Sequence, residues 1–146
     1  MEAKIVERAS FSIGTDVVLV NNNGDAKEIL LIKRGHAPYK DHWALPGGFL
    51  EKGEDPEDGA KRELAEETHV TGVALAQVGA FGRPDRDPRG HVISIAYCAF
   101  LPDHKKSEVR ADDDAADARW FPLESLPPLA FDHDEIIARA RAVLRV

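Results

Sequence analysis

A single cysteine in 146 residues leaves no disulfide to form. Cys98 lies within an apolar alternation and reads as a small core residue, so a cysteine metal site and a disulfide-stapled secreted scaffold both lose support. No stretch approaches eighteen uninterrupted apolar residues, and the opening MEAKIVERAS mixes Glu, Lys and Arg without an apolar run behind them. Neither a membrane span nor a secretory leader is expected, and no membrane partner. Basic charge is scarce as well: 19 Lys and Arg stand against 26 Asp and Glu, for a formal net charge of −7. That balance argues against a nucleic acid polymer, whose phosphates need clustered cations. It leaves room for a small phosphorylated ligand carried with a divalent metal. With 43% apolar residues the chain can bury a core of its own, and the expectation is one soluble, cytoplasmic domain over residues 1–146.

What is present alternates between strand and helix signals. FSIGTDVVLV (Phe11 to Val20) and EILLIK (Glu28 to Lys33) flank the turn cluster NNNGDAK and predict a hairpin. The Pro- and Gly-rich RGHAPYKDHWALPGG predicts loop, with a short strand around Trp43 to Leu45. Asp55 is a suitable N-cap, Pro56 fits the first helical position, and Glu57 and Asp58 suit the positive end of the dipole, so a helix is expected from Pro56 to about His69. Val73 to Phe81 and His91 to Phe100 read as strands around the polar loop GRPDRDPRG. Pro102 to Ala118 reads as acidic surface loop, followed by a short strand at Arg119 to Phe121. A second helix, capped by Asp132 or Asp134, carries Ile136, Ile137, Ala140, Val143 and Leu144 at helical spacing. The fold class expected is α/β (α+β), a mixed β-sheet sandwiched between helices.

Glu63, Glu66 and Glu67 fall on one face of the first helix. Like charges at that spacing cost a few tenths of a kcal/mol per pair, and a divalent cation would remove the cost. Hard oxygen donors without His or Cys suit Mg²⁺ or Mn²⁺ better than zinc. Three glutamates alone favour the reading of a solvated acidic face, with Arg62 paired to Glu66.

The surroundings decide. Gly48, Glu54, Arg62, Glu63, Leu64, Glu66, Glu67 and Val70 match the Nudix box, G-x5-E-x7-R-E-U-x-E-E-x-G-U with U aliphatic, over residues 48–70. The six exact matches, Leu64 and Val70 being matched only as aliphatic, arise by chance on the order of 10⁻⁸ per start position, given average residue usage. The chain therefore resembles a Nudix hydrolase. One position departs: His69 stands where the pattern has Gly, a site where a left-handed backbone costs a non-glycine residue about 1 kcal/mol.

The resemblance implies a single Nudix domain in which Glu63, Glu66 and Glu67 hold catalytic Mg²⁺ or Mn²⁺, joined by the backbone carbonyl of Gly48 or its neighbour Gly47. It also implies that Arg62 and Glu54 pair and brace the loop against the helix. Glu63 is the first candidate for the base that orients the attacking water, with Asp113, Asp114 and Asp117 as alternatives. GAFGRPDRDPRGHVISIAYCAF and LAFDHDEII are similar to ADP-ribose pyrophosphatases of the superfamily. This adds Arg34, Arg83, Arg86, Arg89, Phe81 and Asp114 as candidate substrate contacts, beside the bland reading of a self-paired loop. Tyr39, Trp43 and Phe81 could stack on a base, although such aromatics more often anchor loops. His91 and His133 read as hydrogen-bonded surface or strand residues. The activity implied is hydrolysis of ADP-ribose, a small nucleotide diphosphate substrate, to AMP and ribose 5-phosphate. The alternatives are a nucleoside triphosphate substrate, 8-oxo-dGTP included, giving a monophosphate and diphosphate, and more remotely a non-catalytic ADP-ribose sensor. Many relatives dimerise, which leaves a homodimer open.

Overall fold

The computed structural model describes residues 7–23, 26–109 and 115–146. Val17, Val18, Leu19 and Val20 are all fully buried, which a strand achieves only when both faces of its sheet are covered. They lie in β1 (Ser12–Asn23). Val17 and Leu19 pack with Ala60 and Leu64 of helix α1 (Pro56–Thr68). On the opposite face, Val18 and Val20 pack with Ile136, Ile137 and Ala140 of helix α2 (His133–Leu144). The mixed sheet sandwiched between helices is thus observed.

The sheet is built around a fork. Strand β2 (Ala26–Arg34) pairs antiparallel with β1 only from Val20 opposite Ile29 to Asn23 opposite Ala26. Beyond that point the two strands part. Gly14–Asp16 of β1 pairs instead with β4 (Gly47–Phe49), and Ile32 and Lys33 of β2 pair with β3 (Trp43–Ala44). The chain between β2 and α1 is therefore a wedge driven into the sheet. On the other edge of β1, β6 (Val92–Phe100) runs parallel from Ser12 opposite Val92 to Val20 opposite Phe100, with β5 (Ala76–Phe81) antiparallel outside it. β7 (Ala115–Pro122) closes the far edge of β2.

Helix α1 begins as expected: the Asp55 side chain accepts a hydrogen bond from the Glu57 N–H at 3.0 Å, and Pro56 opens the helix. The differences from expectation are local. β5 starts at Ala76 rather than Val73, the segment after Pro102 includes a short 3₁₀ helix (Asp103–Glu108), and β7 begins at Ala115. The Asp run at 112–114 lies outside the described residues. Asp132 occupies the position before α2, yet its side chain makes no capping bond, because Arg86 takes both carboxylate oxygens. Among the described residues no helix is long and apolar enough to cross a membrane.

His69 ends α1 in the left-handed region, with φ 64°, and its N–H bonds the Ala65 carbonyl at 2.9 Å. His69→Gly and His69→Ala both remove the imidazole, but only Ala keeps a Cβ in that conformation. The Gly variant is expected to be more stable by about 1 kcal/mol. Urea midpoints of the two measure this, and equal midpoints would refute a strained cap.

Candidate active site

The wedge at the fork forms the floor of a cleft of about 410 Å³. Its backbone is pressed against the strands on either side. Pro46 accepts the Val17 N–H at 2.9 Å, and a Cβ on Gly47 would collide with the Thr15 carbonyl. A Cβ on Gly48 would stand 2.6 Å from the Glu63 carboxylate, so any side chain there would displace the end of that glutamate.

Arg62 organises the acidic wall. Its Nε and Nη2 donate to Glu54 at 2.7 and 2.9 Å, Nη2 also to the Phe49 carbonyl at 3.1 Å, and Nη1 to Glu63 at 2.7 Å and Glu66 at 3.1 Å. Bonding to Glu54 raises the Arg62 pKa, and the same bonds bring the Glu54 carboxyl down to about 2. Glu54 in turn accepts the Glu51 N–H at 3.0 Å. The expected brace between helix and loop is present in this geometry.

Glu67 is the most secluded of the three helix carboxylates. One oxygen accepts the Gly47 N–H at 3.3 Å, while the other is buried and accepts no hydrogen bond among the described residues. Burial, and next the Glu63 carboxyl beside it, push its pKa well above the usual range. The three side chains do not meet at a single point: among the described residues no three His, Cys, Asp or Glu are gathered into a metal cage. The physical reason is Arg62, the cation nearest in sequence, which draws Glu63 and Glu66 toward itself.

The facing wall is cationic and aromatic. The Arg89 guanidinium lies 5.0 Å from the ring centroid of Phe49 and 5.4 Å from that of Phe131, and Arg34 lies 5.0 Å from the other partner ring, Phe131 again. Arg89 is neutralised by Asp87, to which Nη2 donates at 2.8 Å. Arg34 donates through Nε to the Pro38 carbonyl at 2.7 Å and has no carboxylate partner among the described residues. Burial, then the neighbouring Arg89 charge, lower its pKa.

Beneath both walls runs a buried polar network. Asp16 accepts from Ser94 Oγ at 2.5 Å and faces His133 Nε2 at 3.3 Å, while Arg86 donates to Asp132 at 2.9 and 2.6 Å and stands 4.0 Å from Asp16. Burial raises the Asp16 pKa and lowers that of His133.

The structure therefore brings Glu63, Glu66, Glu67, Gly48, Arg34, Arg86 and Arg89 to one cleft, with Arg62 and Glu54 directly behind the glutamates. It separates others from it. Phe81 is buried in the core with α2, under Arg139, and cannot reach the cleft. Arg83 points to the surface and pairs with Glu135 at 2.9 Å. Trp43 packs on Phe121, Tyr39 on Phe131 outside the cleft, and His91 bonds the Gly82 carbonyl at 2.8 Å. Asp117 pairs with Arg119 on β7, and Asp113 and Asp114 lie outside the described residues. His133, expected at a surface or strand, is instead buried at the start of α2. Sequence reading missed Asp16, Phe49, Phe131 and His133 as parts of this site. Only Asp16 left a signal, as a lone charge within an aliphatic strand run.

Known proteins resemble the chain along most of its length. An ADP-ribose pyrophosphatase of Methanocaldococcus jannaschii is 45% identical over 126 residues, 86% of this chain and 70% of the relative. The ADPR responsive transcriptional repressor NtrR of Acinetobacter baylyi is 34% identical over 133 residues, and the chain spans about half of it, 52%. A MutT/nudix family protein from Enterococcus faecalis superimposes with a TM-score of 0.87 at 34% identity, over 97% of this chain and 65% of that one. The NUDIX domain of Shewanella oneidensis NrtR, in complex with ADP ribose, gives 0.85 at 30% identity, over 94% and 90%. The NUDIX domain family matches residues 11–140, and the chain accordingly belongs to the Nudix hydrolases.

Proposed function

We propose that the chain is a divalent-metal-dependent pyrophosphohydrolase that cleaves ADP-ribose to AMP and ribose 5-phosphate. One observation carries the reading: a carboxylate wall and an arginine–phenylalanine wall face each other across a single cleft. A diphosphate between two sugars needs both. The glutamate wall fits a hard cation, since its donors are all oxygen, Glu67 keeps one buried carboxylate oxygen unpartnered among the described residues, and Gly48 leaves no side chain between the loop and Glu63. Glu63, Glu66, Glu67 and the Gly48 carbonyl would hold Mg²⁺ or Mn²⁺. Bound there, such an ion supplies charge neutralisation at the phosphate oxygens and a bound water of lowered pKa.

The protein's own groups do the rest. Water adds across the P–O–P bridge, leaving two phosphomonoesters, and Glu63 is the first candidate to accept its proton. Arg62 and Glu54 keep the loop closed on the helix, so the carboxylates are held before substrate arrives. Arg34, without a carboxylate partner among the described residues, is available to meet a phosphate oxygen. Arg89, already balanced by Asp87, serves as a rigid filler between Phe49 and Phe131. The similarity to an ADP-ribose pyrophosphatase supports this substrate over a nucleoside triphosphate. A second reading, an ADP-ribose sensor, is favoured by the similarity to the NtrR repressor and to the NrtR domain bound to ADP ribose. The complete set of box glutamates speaks for hydrolysis.

Chromatography of products from ADP-ribose, dGTP and 8-oxo-dGTP, with Mg²⁺ or Mn²⁺ and with chelator, separates these readings. AMP from ADP-ribose, abolished by chelator, is the expected result; tight binding of ADP-ribose without turnover would replace the enzyme by the sensor. Glu67→Gln should retain the fold by circular dichroism and lose at least about two orders of magnitude in turnover, as removal of a charge-stabilising group does. Arg34→Ala should lower kcat/KM for ADP-ribose by roughly one to two orders of magnitude, the worth of a charge-assisted hydrogen bond. An Arg34→Ala enzyme with wild-type kcat/KM would move substrate binding to another wall.

A further inference from the structure

Leu45 lies in the gap of the wedge. β2 supplies hydrogen-bond partners as far as Ala44 and β1 takes over at Gly47, so the N–H of Leu45, a residue only 2% exposed, has no strand partner. A buried N–H left without an acceptor is costly. It donates instead to His133 Nδ1 at 3.0 Å, across 88 residues of sequence. Since Nδ1 accepts, the ring proton is on Nε2, and that N–H faces Asp16 Oδ1 at 3.3 Å. Asp16 is itself fixed by Ser94, and its Oδ1 lies 2.9 Å from where a Gly47 Cβ would stand. The wedge is thus held at Leu45 by the imidazole, while the carboxylate that orients the imidazole lies close beside Gly47, where only a residue without a side chain fits. Gly47 then gives its own N–H to Glu67.

We propose that His133, as the neutral Nε2–H tautomer oriented by Asp16, is a positioning residue that sets the backbone of residues 45–48 and through it the seat of Glu63 and Glu67. The inference rests on the cleft being the active site, as proposed above. It assigns α2 a part in the chemistry without any contact to substrate, and it makes the Asp16, Ser94 and His133 constellation an orienting device rather than a nucleophile and its base.

Two substitutions separate the bonds. In His133→Asn the amide oxygen occupies the place of Nδ1 and can still accept from Leu45. In His133→Gln the polar end reaches toward Asp16 and leaves the Leu45 N–H without its acceptor. Three readouts apply: amide hydrogen exchange and chemical shifts at Leu45, Gly47 and Gly48, binding of Mn²⁺ alone, and kcat and KM for ADP-ribose. The Gln variant is expected to lose amide protection at Leu45, to bind Mn²⁺ about ten-fold more weakly, as loss of an outer-shell partner does, and to fall in kcat more than it rises in KM. The Asn variant should recover most of each. If both variants match wild type in the glycine shifts and Mn²⁺ affinity, or if Gln outperforms Asn, the proposal is overturned. The amide readout needs neither turnover nor metal, so it tests His133 even if ADP-ribose proves not to be the substrate.

Discussion

The site depends first on Arg62. Four carboxylates, Glu51, Glu54, Glu63 and Glu66, lie within 4 Å of its guanidinium, and a fifth contact runs to the Phe49 carbonyl. A helix that carries so much like charge would be penalised at each i,i+3 and i,i+4 pair. One planar cation with five donors offsets that repulsion and ties the incoming loop to the helix in the same geometry. A lysine at this position would supply the charge but not the fork, since Nε and Nη2 grip the two oxygens of one carboxylate while Nη1 reaches two others. The glutamates are therefore concentrated in one place without unfolding the helix that presents them.

The elements legible in the sequence are those specified by neighbours. Asp55 and Pro56 mark the start of α1 because capping is a matter of two or three residues, and the box glutamates are legible because the residues around them complete one contiguous motif. The left-handed exit at His69 was foreseeable from the position alone. Misreadings cluster in the loop between β5 and β6, where three arginines interspersed with two aspartates look alike in sequence. In the structure Arg83 is on the surface, Arg86 is buried against Asp132, and Arg89 is wedged between aromatic rings. Their fates are decided by partners about 46 to 52 residues away, or by where the loop lands, and no local pattern encodes that. Phe81 was expected at the site and Phe49 was missed for the same reason, as composition cannot say which face of a short strand meets the core.

The floor and walls of the cleft are made differently. Glycines and backbone carbonyls form the floor, where Gly47 and Gly48 allow no side chain, so its shape admits almost no substitution. The facing wall consists of Arg34, Arg89, Phe49 and Phe131, held mainly by stacking and by single ion pairs. Such contacts are worth about 0.5–2 kcal/mol each and are replaceable. A fixed floor with an exchangeable wall is the division expected of a family that keeps one bond-breaking step and varies what is attached to the phosphates.

The fork in the sheet also has a kinetic meaning. Helix α1 and the β1–β2 hairpin close over short stretches of chain, but the wedge is completed by an imidazole 88 residues beyond Leu45. Contacts of that separation form only after long loops have been closed. A nascent or partly unfolded chain can thus carry Glu63, Glu66 and Glu67 on an intact helix and still lack a cleft. Competence is a property of the whole cooperative unit, since opening α2 removes both the Leu45 acceptor and one layer of the core.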